Sequence, residues 1–376
     1  MMACVNKITR RNFIAALLAL LCFSLFSPSP IRAQTAVAPA SSILPGTMPP
    51  DVPLAWKQLV GIYSDGKTST ILLERDGKLL WEVPTTASWN KTKESEWDVW
   101  AKSDGILDAG PESAKVQLLF TPTRDNAGNV TRLSSAALAL SRTDAGTDPA
   151  HFFHVSPSKP VTELRAEALH LAPPKEAGPF RKPDLVELTS LDPAFHLDIR
   201  YAQSNNFLST PVYTQARAFM QRPAAEGLQR ALKKLQPLGY GLLIHDAYRP
   251  WYVTKIFWDA TPPADHNFVA DPQKGSKHNR GCAVDLTLYD LATGQAIEMP
   301  GLYDEMSPRS FPNFPGGTSL QRWHRDLLRK AIEPEGFTVD ANEWWHFDYK
   351  DWKQYPILNV PFENLGDLAP PAAPKP

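Results

Sequence analysis

The stretch Ser276-Lys277-His278-Asn279-Arg280-Gly281-Cys282-Ala283-Val284-Asp285 decides how the second half of this chain is read. A histidine and an aspartate stand seven residues apart around a glycine, and the alternating apolar positions Val284, Leu286 and Leu288 follow at once. A period of two predicts a strand with one apolar face, which sends Asp285 out from the opposite face of a rigid element. Gly281 frees the backbone to bend, so that His278 turns back toward the same point. One nitrogen and one oxygen ligand for a borderline metal are thereby offered together, and a third is needed. Far downstream, Asn342-Glu343-Trp344-Trp345-His346-Phe347-Asp348-Tyr349 supplies His346, with the Glu343 carboxylate three residues before it. Taken singly, a His–Asp pair reads equally as an ordinary hydrogen bond, and Glu-x-x-His recurs by chance. The combination is what points to metal-assisted hydrolysis.

Residues three apart on a regular strand point to opposite faces. Glu343 is therefore placed in the turn before the strand that carries His346, the alternative being a bulge. In the turn its carboxylate lies beside the metal without binding it, where a general base belongs. His278, Asp285 and His346 fill three positions on one zinc and leave the fourth to water, as catalytic zinc sites do. Bound zinc lowers the pKa of that water from about 15.7 toward ~7, and Glu343 takes its proton and passes it to the leaving amine. Cys282 lies between two proposed ligands, but its strand parity opposes that of Asp285, so a small buried side chain is the reading adopted. Arg249, at the end of an apolar run and before Pro250, is the candidate cation for the oxyanion, with a surface arginine in a turn as its alternative.

His-x6-Asp followed by Glu-x-x-His resembles the pattern of the D-alanyl-D-alanine zinc peptidases. The runs from Ser276 to Leu288 and from Glu343 to His346 are similar to the signatures of the dipeptidase branch associated with vancomycin resistance. The resemblance covers residues 184–362, roughly half of the chain. It implies a zinc dependence, the compact fold shared with the hedgehog signalling domain, and a small dipeptide substrate. Carried over residue by residue, Tyr248-Arg249-Pro250 matches the family's Tyr-Arg-Pro. Asp304, in Tyr303-Asp304-Glu305-Met306-Ser307-Pro308-Arg309-Ser310, matches its ammonium-binding position, with a solvated loop carboxylate as the alternative. Tyr201 and Ser276 match positions lining its substrate pocket. Cys282 stands where some relatives place serine. The implied function is an exported zinc dipeptidase splitting D-alanyl-D-alanine into two D-alanines. A D,D-carboxypeptidase or endopeptidase acting on peptidoglycan stems is the near alternative, and a non-catalytic, zinc-stabilised cell-wall binding protein is the alternative of another class.

The chain opens with Thr9-Arg10-Arg11-Asn12-Phe13-Ile14, an apolar run to Leu25 and small residues near Ala33 and Ala36. This reads as a signal peptide over residues 1–36, of twin-arginine type, with a general secretory signal as the alternative. The apolar run is short for a bilayer span, so export, to the periplasm, is expected rather than anchoring. Of three cysteines, Cys4 and Cys22 fall in this leader, so Cys282 has no partner for an internal disulfide. A formal net charge of −1 gives no basic field for nucleic acid. The 36 prolines gather at 37–54, in a connector at 161–183 and in a tail at 365–376.

Between residues 55 and 160, short apolar runs (59–63, 70–74, 79–83) alternate with Ser64-Asp65-Gly66 and Arg75-Asp76-Gly77, the chemistry of hairpin turns. A further pair, at 116–120 and 130–133, flanks Asp125-Asn126-Ala127-Gly128. The expectation is an antiparallel all-β module of six to eight strands, sheet or barrel, with cell-wall association as its candidate role. Trp81, Trp89, Trp97 and Trp100 read as core, with a carbohydrate or peptide platform as the alternative; His151 and His154 read as solvated. In the second half, 184–364, strands are expected at 197–201 and 240–245, a hairpin at 292–299, and helices at 223–236, 251–259 and 319–332. Helices and antiparallel strands mix without regular alternation, which makes the catalytic domain α+β.

Overall fold

In the computed structural model, residues 40–82, 96–101, 107–109, 118–144 and 154–366 are described. The leader, the tail from residue 367, Trp89 and His151 lie outside them. Eight antiparallel strands follow one another: β1 (Gly61–Ser64), β2 (Ser69–Arg75), β3 (Lys78–Glu82), β4 (Glu96–Ala101), β5 (Leu107–Ala109), β6 (Leu118–Arg124), β7 (Val130–Ser134) and β8 (Ala139–Arg142). Each pairs with the next, and Tyr63 opposite Arg142 joins the last to the first, so that they form a closed barrel with no free sheet edge. Leu72 faces Trp81 across β2 and β3, and Trp81 stacks on Phe120 at 5.1 Å inside the barrel. Trp81 is thereby core and not a platform; the side chains of Trp97 and Trp100 lie outside the described set.

The apolar runs noted in the sequence have a physical cause. Tyr63, Leu72, Leu79 and Trp81 point into the barrel, while Ile62, Ile71, Leu73 and Leu80 point outward and pack on Phe314 of the second half. Strands buried on both faces lose the alternation that β8 keeps, where Leu140 is buried between the exposed Ala139 and Ser141.

The second half continues with helix α1 (Val161–Leu169), β9 (Leu185–Glu187), β10 (Phe195–Leu197), β11 (Phe219–Gln221), α2 (Arg222–Leu235), β12 (Tyr240–Asp246), α3 (Trp251–Ala260), β13 (Ala283–Asp290), α4 (Ser319–Ile332), β14 (Phe337–Val339) and β15 (His346–Tyr349). Five of the strands form one sheet in the order β10-β12-β13-β15-β14. β10 runs parallel to β12 and the other pairings are antiparallel, so this half mixes helices with a largely antiparallel sheet. Val284, Leu286 and Leu288 join the core with Leu228 and Leu232 of α2 and Leu327 and Leu328 of α4. Proline sits in the first turn of α2 and Thr318 caps α4 in a reciprocal box with Gln321.

Several expectations shift. The segment read as a connector at 161–183 contains α1, whose Leu164 and Ala168 are buried in the core. The strand expected at 197–201 stops at Leu197, and Tyr201 lies in a tight helical turn, Arg200–Ala202. The hairpin at 292–299 is a single bridge, Tyr289 to Ala296. Within the segment 37–54, Ile43 is buried and Gly46 accepts a hydrogen bond from Trp323, so this stretch is packed rather than spaced. Among the described residues no helix is long and apolar enough to cross a membrane.

Candidate active site

Two backbone devices bring the distant segments together. β13 and β15 pair in a register that sets Asp285 directly opposite His346. His278 comes from the short turn His278–Arg280, which ends at Gly281 with φ +65°, a left-handed conformation that costs glycine nothing. A Cβ there would also collide with Leu185. Next to β13, β12 carries an irregularity between Ile244 and Asp246, and such a bulge re-aims the residues beyond it. Those residues, Asp246 to Arg249, run past His278.

The donor atoms of His278, Asp285 and His346 converge. His346 Nδ1 lies 2.9 Å from Asp285 Oδ1, and His278 Nε2 lies 3.4 Å from Asp285 Oδ1 and 3.2 Å from His346 Nδ1. Hydrogen bonds on the far side of each ring decide what these atoms offer. His278 Nδ1 is 2.7 Å from the Ala247 carbonyl, which can only accept, so Nδ1 carries the proton and Nε2 keeps its lone pair. His346 Nε2 is 2.9 Å from Asp348 Oδ1. Burial opposes the charge of Asp348, but His346 and Lys277 hold its carboxyl below the usual range, so it too accepts. Two lone pairs and a carboxylate oxygen thus face one point, an arrangement that a cation satisfies and that no neutral core requires. The donor set, two imidazoles and one carboxylate, suits zinc. Burial works against the charge on Asp285, yet His278 and His346 hold it far below the ordinary carboxylate range. Burial likewise opposes a charge on His346, which Asp285 and Asp348 more than restore; the negative field that would hold a proton there also holds a metal.

Glu343 lies in the turn before β15, with Oε2 3.8 Å from His346 Nδ1. It stands beside the ligand set, not within it. Its side chain remains 29 % exposed toward the pocket, but surrounding protein and the charges of Asp285 and Asp304 outweigh the pull of His346 and push it up to about 8. Arg249 is buried, and Asp246 Oδ2 accepts from its Nε at 3.0 Å and its Nη2 at 2.7 Å. Burial disfavours that guanidinium's charge and the Asp246 carboxylate more than restores it. The group also lies over the rings of Phe257 (4.8 Å) and Tyr201 (5.4 Å), which fix its plane. Asp304 adopts φ +57° and accepts from the Tyr201 hydroxyl at 3.0 Å. Burial first, and then the negative charge of Asp285, push its carboxyl up to about 7.

All eight residues singled out in the sequence, Tyr201, Arg249, Ser276, His278, Asp285, Asp304, Glu343 and His346, line one pocket of about 550 Å³ that opens to solvent. Cys282 does not: it is buried, and desolvation pushes its thiol up to about 12. His245 stacks on Tyr303, His266 on Trp258, and His324 bonds the Tyr240 hydroxyl, none of them at the ligand set; His154 bonds Ser209 at the surface. Sequence reasoning did not single out the supporting groups: Asp246, Asp348, Asn279, which donates to the Arg249 carbonyl at 2.8 Å, and Tyr303, which donates to Asp285 Oδ2 at 3.1 Å. Asp348 was within reach, since it shares a strand face with His346, and so was Asp246, three residues before Arg249; Asn279 and Tyr303 depend on contacts 30 and 18 positions apart.

A family model described as D-ala-D-ala dipeptidase matches residues 181–364. The D-alanyl-D-alanine dipeptidase of Escherichia coli (strain K12) is 34 % identical over 175 residues, covering 46 % of this chain and 89 % of the relative. That of Enterococcus faecium is 34 % identical over 194 residues, covering 46 % and 95 %. A third, from Streptomyces coelicolor, is 33 % identical over 41 % of this chain and 85 % of its own length. The barrel lies outside the family segment, whereas the sheet and all eight pocket residues lie within it, and through that segment the chain belongs to the D-alanyl-D-alanine dipeptidase family.

Proposed function

We propose that this chain is an exported, zinc-dependent dipeptidase that hydrolyses D-alanyl-D-alanine to two molecules of D-alanine. The observation that carries the reading is the pair of imidazoles whose outer nitrogens are tied off, leaving both inner lone pairs beside Asp285. His278, Asp285 and His346 would hold one zinc, which when bound polarises a carbonyl and makes water a nucleophile near neutral pH. Every other role falls to the chain itself. Glu343, whose carboxyl the charge of a bound cation would draw down from about 8 into its ionised form, accepts the proton of the attacking water and delivers it to the departing amine. Arg249, locked by Asp246 and two aromatic rings, faces the oxygen on which charge develops. Asp304 receives the free ammonium of the substrate, whose positive charge draws the carboxyl down from about 7 into its ionised form. Tyr201 orients Asp304, and Ser276 lines the same pocket.

The leader alone supports export to the periplasm, and the barrel is the part left free to meet the cell wall. One feature favours a second reading. Beyond Glu343 the pocket continues into an open groove of about 1380 Å³ lined by Ser307, Pro308, Phe311, Asp340 and Asn342, which has room for a longer stem peptide. Incubating the mature chain, with and without chelator, with D-alanyl-D-alanine and with a stem pentapeptide separates the two. Faster release from the pentapeptide would replace the dipeptidase reading with a D,D-carboxypeptidase. Glu343→Ala is expected to retain zinc and lose turnover by about 10²–10⁴-fold, whereas a purely structural zinc site would show no turnover to lose.

A further inference from the structure

The loop that carries Asp304 is held from outside the family segment. Between Gly301 and Ser310 its polar ties meet at two side chains. Glu305 accepts from the Leu302 amide at 2.8 Å and the Ser307 hydroxyl at 2.8 Å, and its carbonyl accepts from the Ser310 hydroxyl at 3.1 Å. Arg309 donates through Nε to the Pro300 carbonyl at 2.8 Å, and that nitrogen lies 3.4 Å from Glu305. Gly301 passes so close that a Cβ would stand 2.6 Å from the Arg309 carbonyl. The far end of the loop is joined to the catalytic turn, since the Trp344 amide, next to Glu343, donates to the Ser310 carbonyl at 2.8 Å.

A further contact of Arg309 comes from the barrel. Asp144, two residues after β8, has a fully buried side chain and lies 3.2 Å from Arg309 Nη1. It also accepts from Arg142 Nε at 2.8 Å and from the Ile62 amide. Burial opposes its charge, and Arg309 and Arg142 hold it below the usual carboxylate range. Two guanidiniums therefore face two carboxylates, Asp144 and Glu305. Removing Asp144 would take away a buried carboxylate that Arg309 and Arg142 share, leaving Arg309 its ties to Pro300 and Glu305 within the loop.

We propose that Asp144 is a positioning residue for substrate binding: through Arg309 it fixes the 301–310 loop, and with it the Asp304 carboxylate that receives the substrate ammonium. This rests on the dipeptidase reading above. The barrel is then part of the machinery for recognising the substrate rather than an appendage to it.

A second contact between barrel and peptidase half provides the control. Glu74 is also buried, but it accepts from the Ser319 amide at 2.7 Å, at the start of α4, and not from the loop. The experiment uses the zinc-loaded mature chain with D-alanyl-D-alanine. Asp144→Asn is expected to raise KM about tenfold with kcat within about twofold and zinc content unchanged, the signature of lost uniform binding. Glu74→Gln is expected to lower Tm and leave KM where it was. An unchanged KM in Asp144→Asn, or an equal rise in Glu74→Gln, would overturn the proposal, the latter by showing that any loosening of the junction has the same effect. Should Asp144→Asn fail to fold, Arg309→Lys, which keeps the charge and shortens the reach, is held to the same KM criterion. An inactive wild-type chain would instead overturn the dipeptidase reading, so the two failures are distinguishable.

Discussion

Two clusters of buried charge sit in this molecule, and they are built to different ends. At the junction between barrel and peptidase half, Arg142, Asp144, Arg309 and Glu305 neutralise one another within the chain. At the pocket, His278, Asp285, His346, Glu343 and Asp304 do not. There the acceptors crowd together, and the carboxyls of Glu343 and Asp304 are pushed up to about 8 and about 7 by burial and by negative neighbours. Similar residue types and similar burial give a cement in one place and an unfinished constellation in the other. The difference is where the compensating charge comes from. Partners in a buried ion-pair cluster offset part of one another's desolvation, whereas the pocket leaves its crowded acceptors to be balanced by a cation from outside the chain.

The largest effect expected from this contrast is on metal removal. A chelator should abolish turnover and lower Tm, and His346→Ala should do the same without chelator, because a ligand bound only by the folded state stabilises it by mass action. Asp144→Asn should keep a zinc-dependent rise in Tm; if it loses that rise, the two clusters are not independent. Next in size is Arg249→Lys. It breaks the two-pronged contact with Asp246 and is expected to cost about 10²–10³ in kcat/KM, read by steady-state kinetics. Inside the barrel, Leu72→Ala should cost about 2–5 kcal/mol on denaturant unfolding while leaving kcat unaltered, since the cavity opens far from the pocket.

The smallest effect concerns pH. Burial holds His324 down to about 4, against an ordinary value of 6.5. Its folded value is the lower one, so the unfolded chain takes up the proton first as pH falls. Its contribution to stability is therefore complete above about pH 6.5 and is lost between there and about pH 4, at most about 3 kcal/mol. His324→Gln should flatten the fall in Tm over that window, and an unchanged profile would count against the assignment.

Much of the pocket was legible because its chemistry is local. The alternation Val284-Asp285-Leu286 names the strand and its faces, Gly281 marks the reversal, and the three-residue step from Glu343 to His346 favours the turn for Glu343 over a bulge. The barrel's turns were legible for the same reason, since Asp65-Gly66 and Asp76-Gly77 carry their conformation in their residue types. Where a reading failed, a long-range contact had overridden local pattern. The 161–183 segment looks like a connector because of its prolines, yet Leu164 and Ala168 have a core to enter. Leu197 to Tyr201 alternates like a strand, but the ladder to β12 ends with the Asp198 amide on the Ile244 carbonyl, and Tyr201 sits in the helical turn beyond it with its hydroxyl on Asp304.

By itself, then, the order of residues singled out the groups that meet in the pocket, because side-chain type, spacing and strand parity are short-range properties. Only the tertiary structure decided which nitrogen of each histidine faces inward, what holds Arg249 in plane, and that a barrel aspartate reaches the loop bearing Asp304. The contact that orients His278 spans 31 positions and the one from the barrel to Arg309 spans 165, separations that no local pattern encodes.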